Sequence, residues 1–83
     1  MKVNVRYFAS LREALGEGET VELEEGADLA ALRRRLAARG GRHGEALAPG
    51  RAVRGAVDRV MAAPDALLHD GAEVAFFPPV TGG

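Results

Sequence analysis

A chain of 83 residues without a single cysteine has to hold its fold by apolar packing alone. Disulfides, zinc–thiolate clusters and thiol nucleophiles are closed to it. A domain of this length buries roughly 60–65% of its unfolded surface, so the core is small and the chain forms one domain. Hydrophobic residues at 47% and charged residues at 28% supply that core and exclude a disordered tail protein.

The apolar pattern divides the chain into elements. Lys2 to Tyr7 alternate strictly, with Val3, Val5 and Tyr7 on one face and Lys2, Asn4 and Arg6 on the other, which predicts a half-buried strand. Ser10-Leu11-Arg12-Glu13 fits a capping box at the start of a short helix that Gly16 closes. Alternation around Val21 and Leu23 predicts a second strand over residues 20–24. Asp28 is a suitable N-cap for a helix over residues 29–39, whose stripe of Leu29, Leu32 and Leu36 faces the core until Gly40-Gly41 stops it. Residues 42–50 read as loop, with at most a helical turn at 45–47. Periodicity leaves residues 51–63 divided between helix and strands, because Val53, Val57, Val60 and Met61 keep a helical spacing while Gly55 and the clustered valines favour strands. Residues 65–68 form a single turn at most, and Glu73 to Phe77 is a last strand ended by Pro78-Pro79. Within that strand the bulkier pair, Val74 and Phe76, is expected to face the core and leave Phe77 outward as an aromatic anchor, with Met61 a second candidate for the same patch.

Charge excludes some partners. Eleven basic and twelve acidic residues give a net charge of −1, a poor balance for nucleic acid, whose binding rests on phosphate neutralisation. The longest stretch without charge covers residues 74–83 and is broken by two prolines, far short of a membrane span. The opening MKVNVRYF lacks the apolar run of a signal peptide, so the expected compartment is the cytoplasm. The charges are nonetheless segregated. Residues 13–28 hold seven acids and no base, whereas residues 33–59 hold eight arginines against Glu45 and Asp58. Two solvated faces explain this, and a dipole that orients protein partners is the functional alternative.

Little in the chain resembles a catalytic site. His43 and His69 have no carboxylate at ligand spacing, so a metal site is not expected. Ser10, the one serine, is accounted for by the capping box, and Gly40, Gly41 and Gly44 lack the spacing of a phosphate-cradling loop. Arg33-Arg34-Arg35 is better explained as a helix face than as a phosphate contact.

The carboxyl end differs. With 11 glycines in 83 residues, a terminal pair arises by chance about once in 60, so Gly82-Gly83 needs support from the residues before it. The support is a strand, two prolines and a β-branched pair. Pro78 and Pro79 favour an extended arm, and six residues at about 3.3 Å each reach roughly 20 Å. Gly82 and Gly83 can thread a passage closed to any Cβ. The terminal carboxylate is ionised at neutral pH, unhindered, and able to attack an activated phosphate.

The run Asp70-Gly71-Ala72-Glu73-Val74-Ala75-Phe76-Phe77-Pro78-Pro79-Val80-Thr81-Gly82-Gly83 closely resembles the end of the small, sulfur-carrier subunits of molybdopterin synthase, and Tyr7-Phe8-Ala9-Ser10-Leu11-Arg12-Glu13 is similar to that family's opening strand and short helix. Two positions depart from its pattern: Ala72 stands where the family commonly has Asp, and Asp58 where it commonly has Asn. The resemblance implies an α+β fold, a ubiquitin-like β-grasp whose mixed sheet is crossed by one main helix, and it moves residues 53–57 and 59–62 to strands. It implies a domain over residues 1–77 and a flexible tail over residues 78–83.

For function, the resemblance implies that an ATP-dependent, ubiquitin-activating-type enzyme adenylates the Gly83 carboxylate. A sulfur donor protein then displaces AMP and leaves a thiocarboxylate. The tail, through Phe77, Pro78, Pro79, Val80, Thr81 and Gly82 with Met61 beside it, engages the large synthase subunit, where the sulfur builds the dithiolene of molybdopterin. ATP is then the activating enzyme's substrate, and the isolated chain binds no cofactor and catalyses nothing alone. A sulfur carrier for thiamine thiazole synthesis, a ubiquitin-like protein modifier and a structural adaptor are the competing expectations.

Overall fold

In the computed structural model, which describes residues 1–79, β1 (Lys2–Tyr7) buries Val3, Val5 and Tyr7 and exposes the residues between them, as its alternation predicts. The strand passes almost directly into α1 (Ala9–Leu15). Here the expected capping box does not form. Ser10 lies inside the helix, exposed, and Phe8 is the N-cap without a side-chain hydrogen bond. The reason is that Phe8 still belongs to the sheet. Its N–H donates to the Phe76 carbonyl at 3.0 Å, while its own carbonyl accepts from Leu11 (3.1 Å) and Arg12 (3.4 Å). The change of direction falls on Ala9, held at φ +52°, so the helix has begun before Ser10 can cap it. Gly16, at φ +93°, closes α1 with its N–H on the Arg12 carbonyl.

Strand β2 (Gly18–Glu22) pairs antiparallel with β1, Val21 opposite Val3. It begins two residues earlier than alternation suggested because Gly18 brings no side chain to its contact with Val5: an added Cβ would collide with the Val5 carbonyl oxygen. Leu23, past the strand's end, is still buried, its N–H donating to Met1 O at 2.8 Å. Asp28 caps α2 (Leu29–Ala37) as expected, its Oδ1 accepting from the Ala31 N–H at 2.8 Å. Leu29, Leu32 and Leu36 are all buried. The helix stops at Ala37 rather than 39, and Gly40 and Gly41, both in left-handed conformations, turn the chain into a further helix, α3 (Gly41–Ala46), where a loop was expected. Arg33 fastens the segment after α3: its guanidinium donates to the carbonyls of Leu47, Ala48 and Arg51 at 3.0, 2.6 and 2.7 Å.

The divided segment forms a hairpin, β3 (Arg54–Val57) and β4 (Val60–Ala62), so the strand reading holds. Asp58 and Arg59 make its turn with φ of +49° and +69°, a conformation that L side chains adopt at a cost of about 1–2 kcal/mol per residue. The last strand, β5 (Glu73–Phe77), has the predicted limits. The sheet order is β2-β1-β5-β3-β4, with β5 parallel to β1 and antiparallel to β3. A parallel pairing requires a crossover, and the helical stretch supplies it. Gly55 sits where a Cβ would come within 2.7 Å of Leu29 Cδ2, so a glycine on β3 lets α2 approach the sheet. The core lies between these two layers, and among the described residues no helix covers the sheet's other face.

The β-grasp expectation is therefore met: mixed sheet, one main helix, α+β. β5 ends at Phe77, and only the first two residues of the expected tail are described. Pro78 and Pro79 are half-buried, and Val80, Thr81, Gly82 and Gly83 lie outside the described residues.

Candidate partner-binding face and carrier tail

Alternation along β5 divides its two phenylalanines as the sequence predicts. Val74 and Phe76 are 0% and 2% exposed in the core, while Ala75 and Phe77 are half-buried on the opposite face. Register shows what shares that face. Ala56 stands opposite both Ala75 and Met61, and Phe77 stands opposite Arg54. Met61 is 58% exposed. Phe8, 42% exposed, continues β1 by one residue and so follows the inward Tyr7 onto the same open face. The two predicted anchors, Phe77 and Met61, are thus joined by Phe8, which the sequence reading passed over. The signal was present, since extending the alternation of Val3, Val5 and Tyr7 by one step turns an aromatic outward.

The base of the tail is built into this arrangement. Because β1 and β5 are parallel, both end beside α1. Pro78 lines a cleft there with Ser10, Leu11, Ala52 and Val53. The chain therefore leaves the sheet at the edge of the open apolar face.

Asp58 secures the hairpin that carries Met61. Its N–H donates to Glu73 O at 2.8 Å, its Oδ1 accepts from Glu73 N–H at 3.0 Å, and its Oδ2 lies 2.5 Å from His69 Nε2. The bond from the Glu73 N–H, followed by that from His69, holds the Asp58 carboxyl below its ordinary range. Asp58, with the Asp70 carbonyl helping, holds His69 above its ordinary value. An asparagine could accept the Glu73 N–H equally well, so what Asp58 adds is the His69 pair. A histidine raised in the folded state stabilises it fully below the unfolded pKa of about 6.5 and loses that contribution as pH rises through the folded value. We expect the His69 ring resonances to titrate above the ordinary histidine value in the parent and to move down in Asp58→Asn, where the Asp70 carbonyl alone still holds the ring. An unchanged midpoint in the variant would refute the pairing in solution.

A second polar cluster lies on the helix side. Glu19 accepts from Tyr7 Oη at 2.9 Å, pairs with Arg39 at 2.6 Å and has His43 Nε2 at 3.3 Å. Burial alone would raise the Glu19 carboxyl, but the bonds from Arg39, Tyr7 and His43 outweigh it and hold the group lowered. Burial, then Glu19, raises the Tyr7 phenol. This cluster fastens β1, β2 and α3 together and joins the acidic and basic segments at one point. Among the described residues no three His, Asp or Glu side chains are grouped to hold a metal ion, and no helix is long and apolar enough to cross a membrane.

A five-stranded mixed sheet backed by one main helix, with a strand running out beside an open apolar face, defines the ubiquitin-like β-grasp class. By its match to that family's model over residues 5–83, the chain belongs to the ThiS family. It is 41% identical over 81 residues to the molybdopterin synthase sulfur carrier subunit of Escherichia coli K12, covering 98% of this chain and 99% of that one. SAMP1 from Haloferax volcanii, at 22% identity, shares the fold over 100% of both chains with a TM-score of 0.81. A solved complex of subunits 1 and 2 of molybdopterin-converting factor from Helicobacter pylori contains a chain 26% identical, covered over 100% of both, with a TM-score of 0.69.

Proposed function

We propose that this chain is the sulfur-carrier subunit of a molybdopterin synthase, working in the cytoplasm with its Gly83 carboxylate as the site of chemistry. The observation that carries the reading is the strand β5 leading through Phe77, Pro78 and Pro79 from an open apolar face, in a chain 41% identical to a carrier of that name. Val80, Thr81 and Gly82 would complete the arm. The partner complex found for the Helicobacter pylori relative supports a large synthase subunit as the docking partner of Phe77 and Met61.

The chemistry proceeds in balanced steps. A Gly83 carboxylate oxygen attacks the α-phosphorus of ATP on the activating enzyme, expelling pyrophosphate and giving an acyl adenylate. A donor delivering sulfur at the sulfide level attacks the carbonyl carbon; the C–S bond forms, the C–O bond to AMP breaks, and a thiocarboxylate remains. Its sulfur attacks a carbon of the pterin precursor on the large subunit, forming a C–S bond as that carbon's bond to an oxygen leaving group breaks. Water then attacks the acyl carbon, cleaving its C–S bond so that the sulfur stays on the pterin and the carboxylate is returned. A second carrier delivers the second sulfur in the same way. General acids and bases come from the partners, and ATP is bound by the activating enzyme.

Incubation with ATP, the activating enzyme and the sulfur donor should replace one carboxyl oxygen by sulfur, and intact-mass and fragment analysis should place it on Gly83. Sulfur located at any other residue, or none with the authentic partners present, rejects the reading.

A further inference from the structure

On the opposite side of the sheet from Phe77 and Met61, a groove of about 950 Å³ runs between α2 and the β3–β4 hairpin. Leu29, Ala37, Leu47, Val53 and Ala62 give it an apolar lining, with Gly55 on its floor, where Leu29 packs into the space a Cβ would take. Its charges have one sign. Arg33 and Arg34, both on α2, line it, and no acidic residue does. Among the described residues the arginine ion pairs are Arg12–Glu17 and Arg39–Glu19, so the two groove arginines are without a carboxylate partner. Arg33 is satisfied only by backbone carbonyls, which orient a cation without neutralising it, and burial lowers its pKa from the ordinary value.

The groove also borders a free sheet edge. β4 ends the strand order, and its backbone bonds run to β3 alone among the described residues. An extended segment can therefore continue the sheet and send alternate side chains into the groove. From the apolar lining, the unneutralised arginines and the open strand edge, we propose that this groove docks an extended segment of a partner protein, apolar at its centre and flanked by Asp or Glu. Carboxylates at the flanks meet the arginines, and apolar side chains fill the lining. The groove lies across the sheet from Phe8 and Phe77, so a partner held here leaves those two aromatics free for another.

The test is an ¹⁵N NMR titration of the full chain with two synthetic peptides, each with three leucines at its centre, one flanked by glutamates and the other by lysines. The glutamate peptide should shift the amides of Ala37, Val53, Gly55 and Ala62, and bind about tenfold or more tightly than the lysine peptide. Arg34→Glu and Ala38→Glu, both at exposed positions on the groove wall, should weaken it about tenfold, while the charge-matched control Lys2→Glu should not. Unchanged dispersion of the variant spectra separates lost binding from lost folding. Four results overturn the proposal. They are equal affinity for both peptides, shifts confined to Phe8, Met61 and Phe77, an oligothymidylate that shifts the groove as strongly as the glutamate peptide, and groove shifts that follow protein concentration without peptide, which would assign the groove to a second copy.

Discussion

Removing Gly83, or adding one alanine after it, is expected to abolish thiocarboxylate formation and dithiolene synthesis while the unfolding midpoint stays where it was. The deletion leaves a Gly82 carboxylate of similar intrinsic acidity, but about 3.3 Å short of the reacting atoms. Misplacement by 1 Å can cost roughly 100-fold, so the error should be severe. The added alanine carries the carboxylate past the same point and brings a Cβ into a passage sized for glycine. Both changes fall beyond β5, whose core residues are Val74 and Phe76, so stability should remain within about 0.5 kcal/mol of the parent. Paired measurement of unfolding midpoint and thiocarboxylate yield separates length from folding. Full activity in a folded chain lacking Gly83 would remove the central residue of the carrier reading and leave a structural adaptor in its place.

The second large effect belongs to the open face. Met61→Asp should weaken binding to the large subunit by about 2 kcal/mol or more, roughly 30-fold, because a desolvated carboxylate would replace an apolar anchor. Met61 is exposed in the free chain, so the substitution should move stability little. Phe77→Ala should reduce affinity to a similar degree, with a modest loss of stability because Phe77 is half-buried. Phe8→Asp extends the test to the residue that the sequence reading passed over. Calorimetric titration of each variant against the large subunit, beside its thermal midpoint, gives the answer. Wild-type affinity in both Met61→Asp and Phe8→Asp would place the interface elsewhere.

Much of this was legible in the sequence wherever periodicity was long enough to be unambiguous. Lys2–Tyr7, Glu73–Phe77, the Leu29-Leu32-Leu36 stripe and the Asp28 cap all needed only local rules, and all stand. The failures share a physical cause, which is that a distant partner decided them. Ser10 could cap a helix in isolation, but Phe8 is held in the sheet by Phe76, 68 positions further along the chain, and that contact moves the helix start. Gly40 and Gly41 stop one helix as expected, yet the clasp of Arg39 and His43 on Glu19 makes a second helix worthwhile immediately after. The β3–β4 hairpin could not be separated from a helix by spacing, because its short strands and its strained Asp58-Arg59 turn are stabilised by pairing with β5. At the site, Phe77 and Met61 could be named from pattern, but the face uniting them with Phe8 exists only once five strands are in register.

The placement of β5 between β1 and β3 has a mechanical consequence. Under the proposed function the end of the chain is drawn into a partner's cleft, and traction on it would enter the sheet along the axis of β5. The strand is bonded on both flanks, by a parallel ladder to β1 and an antiparallel one to β3. Tension from the terminus loads those ladders lengthwise, so their hydrogen bonds share the force and must fail together instead of peeling away singly. An edge strand such as β2 or β4 would have offered one flank only. The sheet would thus serve as an anchor block for its own tether, and the proposed partners could grip and release the end of the chain without unravelling what holds it.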